Sequence, residues 1–117
     1  GNVVVEQSYG GTRSDYGKGL EPTDDGGFIL VGTYATGTSL DDAEEFMNLI
    51  KTDSNGAEEW SRLYRLEGQD FTNGLDVCVT DDGGYAALGG GFYWDPLTQR
   101  VIGFYHLVKT DAQGNGD

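Results

Sequence analysis

"TDDGGFILVG" at residues 23–32 comes back as "TDDGGYAALG" at residues 80–89, a shift of 57 positions from Thr23 to Thr80. Two readings compete: a paired acidic site, or one structural unit written twice. The flanks favour the second. "DYGKGL" at 15–20 resembles "DFTNGL" at 70–75, and "NLIKTDSNG" at 48–56 matches "HLVKTDAQG" at 106–114. "EEWSRLY" at 58–64 falls where "VVVEQSY" stands at 3–9. The offsets of 55, 57, 58 and 55 describe a tandem repeat with small insertions, two residues before Thr80 and one between Gly89 and Tyr105.

Each unit reads as four short strands. Strand a is Lys18–Thr23 and again Leu75–Thr80; strand b is Phe28–Tyr34 and Tyr85–Gly91. Strand c is Phe46–Thr52 and Phe104–Thr110; strand d is Glu58–Tyr64 and Val3–Tyr9. "DDGG" supplies residues that tolerate positive φ, so a and b fold back as a hairpin, and "DSNG" and "DAQG" do the same after strand c. The b–c links, "ATGTSLDDAEE" and "FYWDPLTQRVIG", are long and unlike, as expected where a repeat varies its surface.

Composition agrees. Twenty glycines without a collagen period point to many tight turns, and two Trp, seven Tyr and five Phe offer surface to bury. The net charge of −13 lacks the basic footprint of a nucleic-acid binder and would be repelled by an anionic membrane. No apolar run is long enough to span a bilayer. The start "GNVVVEQ" has no signal-peptide pattern, so a secreted form would already have lost its leader.

Four antiparallel strands in about 55 residues suggest a propeller blade. "DYGKGLEPTDDGGFILVGTY…NLIKTDSNGAEEWSRLY" resembles the DGGY-type β-propeller repeats of secreted bacterial and archaeal proteins. Their form is a YGG, a D-x-G, a T-x-DGGY-I-x-x-G and a Y-L-I-K-T-D-x-x-G hairpin leading into a Trp strand. "SYGG" at 8–11 and Trp60 match; "LYRL" at 63–66 lacks the glycines, Val5 replaces the Trp, and the second strand a is two residues longer. The resemblance implies an extracellular or cell-surface propeller and no one catalytic activity.

The expected architecture is therefore all-β: a closing strand in 1–10, one blade in 11–66, and a second in 67–117 without its last strand. The order d-a-b-c-d-a-b-c is the circular offset by which propellers close, and two blades cannot close a ring. The strand Val3, Val4, Val5, Gln7 and Tyr9 is expected to complete the second blade of another copy, giving a ring or a filament. The alternative is that the sequence is a piece of a longer propeller.

Other motifs carry less. Calcium is the one cofactor the residues suggest, at Asp53 and Asn55 in "DSNGAEE" and Asp111 in "DAQGNGD", stretches whose oxygen ligands alternate; yet the glycine at the fourth position suits a hairpin turn better than a calcium loop. Asp25 and Asp82 are expected to accept backbone hydrogen bonds, with Asp24 and Asp81 facing solvent. Asp41, Asp42, Glu44 and Glu45 read as a solvated acidic loop. Cys78 is expected to be a small buried side chain, and His106 to fill the strand position held by Asn48 in the first unit. The recognition candidate is the loop Phe92, Tyr93, Trp94 and Arg100, able to stack on a glycan or anchor a protein. No G-x-S-x-G, P-loop, zinc spacing or HExxH occurs, so a non-catalytic role is expected.

Overall fold

The computed structural model describes residues 6–10, 16–37, 44–65 and 72–116. Among these every regular element is a strand. Four form one antiparallel sheet: β1 (Tyr16–Pro22), β2 (Phe28–Thr36), β3 (Glu44–Thr52) and β4 (Glu58–Tyr64), in that order. Three form a second: β5 (Asn73–Val79), β6 (Tyr85–Asp95) and β7 (Arg100–Thr110). The all-β expectation holds, with two antiparallel sheets of four and three strands among the described residues. Neither sheet is closed, and no helix among the described residues is long and apolar enough to cross a membrane.

The two units share one register. Phe28 pairs with Thr52 as Tyr85 pairs with Thr110, and Leu20 pairs with Leu30 as Val77 pairs with Ala87. Each first strand has an irregularity at the same place, between Gly17 and Gly19 and between Gly74 and Asp76. This corrects the expected alignment of Gly19 with Gly74. Gly17 is the counterpart of Gly74, and both strands have seven residues. The extra residues fall ahead of β5, because pairing with the neighbouring strand decides equivalence where residue likeness is weak.

Two further expectations change. β6 continues through Phe92, Tyr93 and Trp94, and Arg100 opens β7, so the presumed long loop is a hairpin closed by a turn at 96–99. Residues 6–10, which include Gln7 and Tyr9, form no strand; Val3, Val4 and Val5 lie outside the described residues.

Side chains alternate across a strand, so each sheet presents two faces. Ile29, Val31, Met47 and Leu49 lie on one face of the first sheet and are buried by Val77, Tyr85 and Ala87 of the second. Trp60 closes one margin, its ring 5.9 Å from that of Tyr85, with Arg62 stacked 5.3 Å over it. This face-to-face contact is the core of the molecule. Leu49 is 0% exposed, whereas its counterpart Leu107 is 71% exposed. Leu49→Ala should therefore destabilise the fold by about 2–5 kcal/mol, and Leu107→Ala by under about 0.5 kcal/mol in dilute solution, read from urea midpoints.

Candidate functional site

The repeated "TDDGG" is a five-residue turn in which four positions have a direct structural role. Thr23 closes it with two backbone bonds, its N–H to the Gly27 carbonyl (2.9 Å) and its carbonyl from the Gly26 N–H (3.0 Å). Asp24 is exposed. The Asp25 carboxylate accepts from the Gly27 N–H at 3.1 Å and from the Thr23 hydroxyl. Gly26 has φ of 87°, a left-handed conformation that costs a side chain strain. At Gly27 a Cβ would lie 2.0 Å from the Thr52 carbonyl oxygen, so no larger residue fits. The second copy repeats the set: Thr80, Asp82, Gly83 at φ 85°, and Gly84 with Thr110 at 2.0 Å.

A lysine from the third strand locks each turn. Lys51 Nζ donates to Asp25 Oδ2 (3.0 Å), to the Thr52 carbonyl (2.6 Å) and to Glu59 Oε1 (2.9 Å). Lys109 Nζ donates to Asp82 Oδ2 (3.0 Å) and the Thr110 carbonyl (2.8 Å). Reasoning on the aspartates alone passed over these lysines, although "KTD" recurs in both halves. The Lys51 side chain is 4% exposed and the Lys109 side chain 42%, because β4 and the second sheet cover only the first.

The electrostatics follow from this geometry. The Thr23 hydroxyl, then Lys51 and the Gly27 amide, hold the Asp25 carboxyl down at about 2. Thr80, Lys109 and Gly84 lower Asp82 in the same way. Burial alone would push Lys51 down; Glu59 and Asp25 outweigh it and leave the ammonium above its usual value. A general acid at neutral pH needs a raised carboxyl pKa, the opposite of what these turns produce.

The turns after the third strands are also copies. Asp53 Oδ1 accepts from the Asn55 N–H (2.9 Å) and the Ala57 N–H (3.0 Å). Asp111 Oδ1 accepts from the Gln113 N–H (2.9 Å) and the Asn115 N–H (3.0 Å). The calcium candidates Asp53, Asn55 and Asp111 thus sit in two separate turns, and one oxygen of each aspartate serves backbone amides. Among the described residues no three His, Cys, Asp or Glu side chains gather where they could hold a metal ion.

The tyrosines ending the two "SY" and "LY" segments do equivalent work. The Tyr64 hydroxyl donates to the Gly114 carbonyl, in the last turn of the second unit. The Tyr9 hydroxyl donates to the Gly56 carbonyl, in the corresponding turn of the first. Tyr9 therefore stands toward the first sheet as Tyr64 stands toward the second.

The recognition candidates lie on the β6–β7 hairpin. Phe92 and Trp94 are exposed on one face, while Tyr93 meets Phe104 on the other at 6.4 Å between rings. Asp95 caps the turn, accepting from the Leu97 N–H (3.0 Å) and the Thr98 hydroxyl (2.9 Å). Arg100 pairs with Asp95 in the ladder and is exposed. Phe92, Tyr105, Gly90 and Gly103 line a depression of about 380 Å³.

The remaining expectations divide. His106 pairs with Gly89 as Asn48 pairs with Gly32, so the shared position holds. Cys78 is exposed, not buried, because it alternates with Val77, which points into the core. Asp41 and Asp42 lie outside the described residues; Glu44 and Glu45 belong to β3 rather than to a loop, and Glu44 is ion-paired with Arg65. Comparison of the chain with protein-family models, with curated proteins and with solved structures found no match.

Two outcomes follow from the clamped turns. Lys51→Met should cost about 1.5–3 kcal/mol, the worth of hydrogen bonds to a charged group, and Lys109→Met several-fold less, both read from urea melts. The folded-state value of Asp25 lies below its unfolded 3.8, so its stabilisation is complete above about pH 4 and disappears as pH falls through about 2. Asp25→Asn should flatten the decline of melting temperature across that acid window; an unchanged slope would remove Asp25 from the account.

Proposed function

We propose that the chain is a non-catalytic, extracellular structural module of two DGGY-type propeller blades, which assembles head to tail by completing the sheets of other copies. The observation carrying this reading is the pair of equivalent tyrosine bonds, Tyr9 to Gly56 and Tyr64 to Gly114. Tyr64 ends the fourth strand of the unit that precedes Gly114. By the same geometry Tyr9, which belongs to no strand in the single chain, would end a fourth strand preceding the first sheet once another copy pairs with it. Such a strand has a place to pair: β7 is the last strand of its sheet among the described residues, whereas its counterpart β3 is covered by β4. An uncovered edge is a template for a strand from another chain. A head-to-tail contact of this kind closes into a ring or continues as a filament. The extracellular location rests on the sequence resemblance.

A second reading has its own observation. Exposed Phe92 and Trp94 share one face of the hairpin, the arrangement on which sugar rings stack, and a glycan or protein ligand there would make the module a binding protein.

Light scattering on the purified chain tests the first reading. Association that grows with concentration is expected, and removal of residues 1–9, or Tyr9→Phe, should weaken it. An assembly of unchanged size in both variants would dismiss strand completion. Glycan-array binding lost in Trp94→Ala would favour the second.

A further inference from the structure

The two faces left open by the sheet-on-sheet contact are counterparts of the two faces that make it. In the buried contact the first sheet supplies Val31, Met47 and Leu49, and the second supplies Val77, Tyr85 and Ala87. Carried through the shared register, Val31, Met47 and Leu49 become Leu88, Tyr105 and Leu107 on the outer face of the second sheet. Val77, Tyr85 and Ala87 become Leu20, Phe28 and Leu30 on the outer face of the first. Each outer face thus repeats, position for position, the apolar character of a face already shown to pack.

Both outer faces are partly open among the described residues: Phe28, Leu30 and Leu88 are half-buried, and Ile50 beside Leu30 is buried. Leu107 is 71% and Tyr105 83% exposed, and Leu20 is exposed as well. Bulk is redistributed, and on balance reduced, between the inner and outer versions of the face. Ile29 and Thr33 shrink to Ala86 and Gly90 on the middle strand, and Met47 grows to Tyr105 on the neighbouring one. In a chain of net charge −13, contiguous exposed apolar side chains mark a contact surface.

A glycine identifies what covers them. At Gly74 a Cβ would lie 2.3 Å from the Gly32 carbonyl oxygen, because the first sheet's backbone approaches β5 closely. Its counterpart Gly17 has no such neighbour: a Cβ there meets no described atom within 4 Å. Its φ is not in the left-handed region, so the backbone does not require glycine either. Gly17 leaves room on the first sheet's outer face for the approach that Gly74 receives on the second sheet's inner face. Tyr9 lies on the same side, lining with Leu20, Phe28 and Leu30 a hollow of about 480 Å³.

We infer that the outer face of the second sheet, centred on Leu107 and Tyr105, packs against the outer face of the first sheet of another copy, around Leu20, Phe28 and Gly17, reproducing between chains the contact that joins the two sheets within one. The inference rests on the self-assembly proposed above and adds the surface that drives it: face burial, with strand pairing at the rim. The contact is heterologous, since the two faces differ, so each copy carries one of each. Like charge opposes it. Association should strengthen as ionic strength rises from about 0.01 M to about 0.15 M, where the screening length falls from about 30 Å to about 8 Å.

Sedimentation velocity on the full chain tests this with two variants, Leu107→Glu and Gly17→Ala. Each should weaken association about tenfold or more, at an unchanged urea midpoint. Gly74→Ala, by contrast, should lower the midpoint itself. Mixing the two variants is the decisive arm. The Leu107→Glu copy keeps an intact first-sheet face and the Gly17→Ala copy an intact second-sheet face, so the mixture should form dimers that neither forms alone. Association that survives both substitutions but is lost on removing residues 1–9 would overturn the face contact and leave strand completion standing. Loss with the substitutions but not with that removal would do the reverse. A wild-type chain that stays monomeric at every concentration and salt would overturn both.

Discussion

A four-stranded antiparallel sheet has two faces and can bury neither by itself. The whole molecule depends on the second sheet lying across one face of the first. That contact takes Ile29, Val31, Met47 and Leu49 out of water together, and burial of this kind is the main favourable contribution to folding. It also determines what the turns are worth. Lys51 lies under the covered face and holds Asp25, Glu59 and the Thr52 carbonyl at once, so one ammonium ties the β1–β2 turn to the third and fourth strands. Lys109 makes the matching bonds at the open face, where water competes for the same partners.

The polar motifs are thus subordinate to the apolar faces. The aspartates of "TDDGG" satisfy amides and hydroxyls at a tight bend, and their lowered pKa reflects donors crowded around one carboxylate. The glycines beside them leave room for the third strand's carbonyl. A turn that must be so close to its neighbour has little freedom to vary, which accounts for the threonine, the second aspartate and the two glycines returning where the surrounding strands have drifted.

Much of this was legible in the residues. The repeat, the strands and the turn chemistry follow from local pattern: glycine and aspartate at bends, apolar alternation between them. Asn48 and His106 were placed together by the same logic. Three readings failed where the deciding neighbour is distant in sequence. The likeness of "KGL" to "NGL" aligned Gly19 with Gly74, whereas pairing to β2 and β6 makes Gly17 the counterpart. "FYWDPLTQRVIG" read as a long link between strands; β7 across the ladder keeps its first part extended to Asp95. Cys78 looked buried because its strand is apolar, yet it points away from the face that the first sheet covers.

The sequence alone determined that the chain is all-β, that it is built of two like units, and where the turns at "DDGG", "DSNG" and "DAQG" fall. Those properties reside in short stretches, where the φ preference of glycine and the alternation of side chains act within a few residues. Which of two similar faces is buried, which lysine is enclosed, and which glycine faces open space were decided only by the tertiary structure. Met47 and Tyr105 occupy one position of the repeat, and so do Leu49 and Leu107; their own side chains do not tell covered from bare. The difference comes from whether another sheet lies across them, and that is a property of the packing.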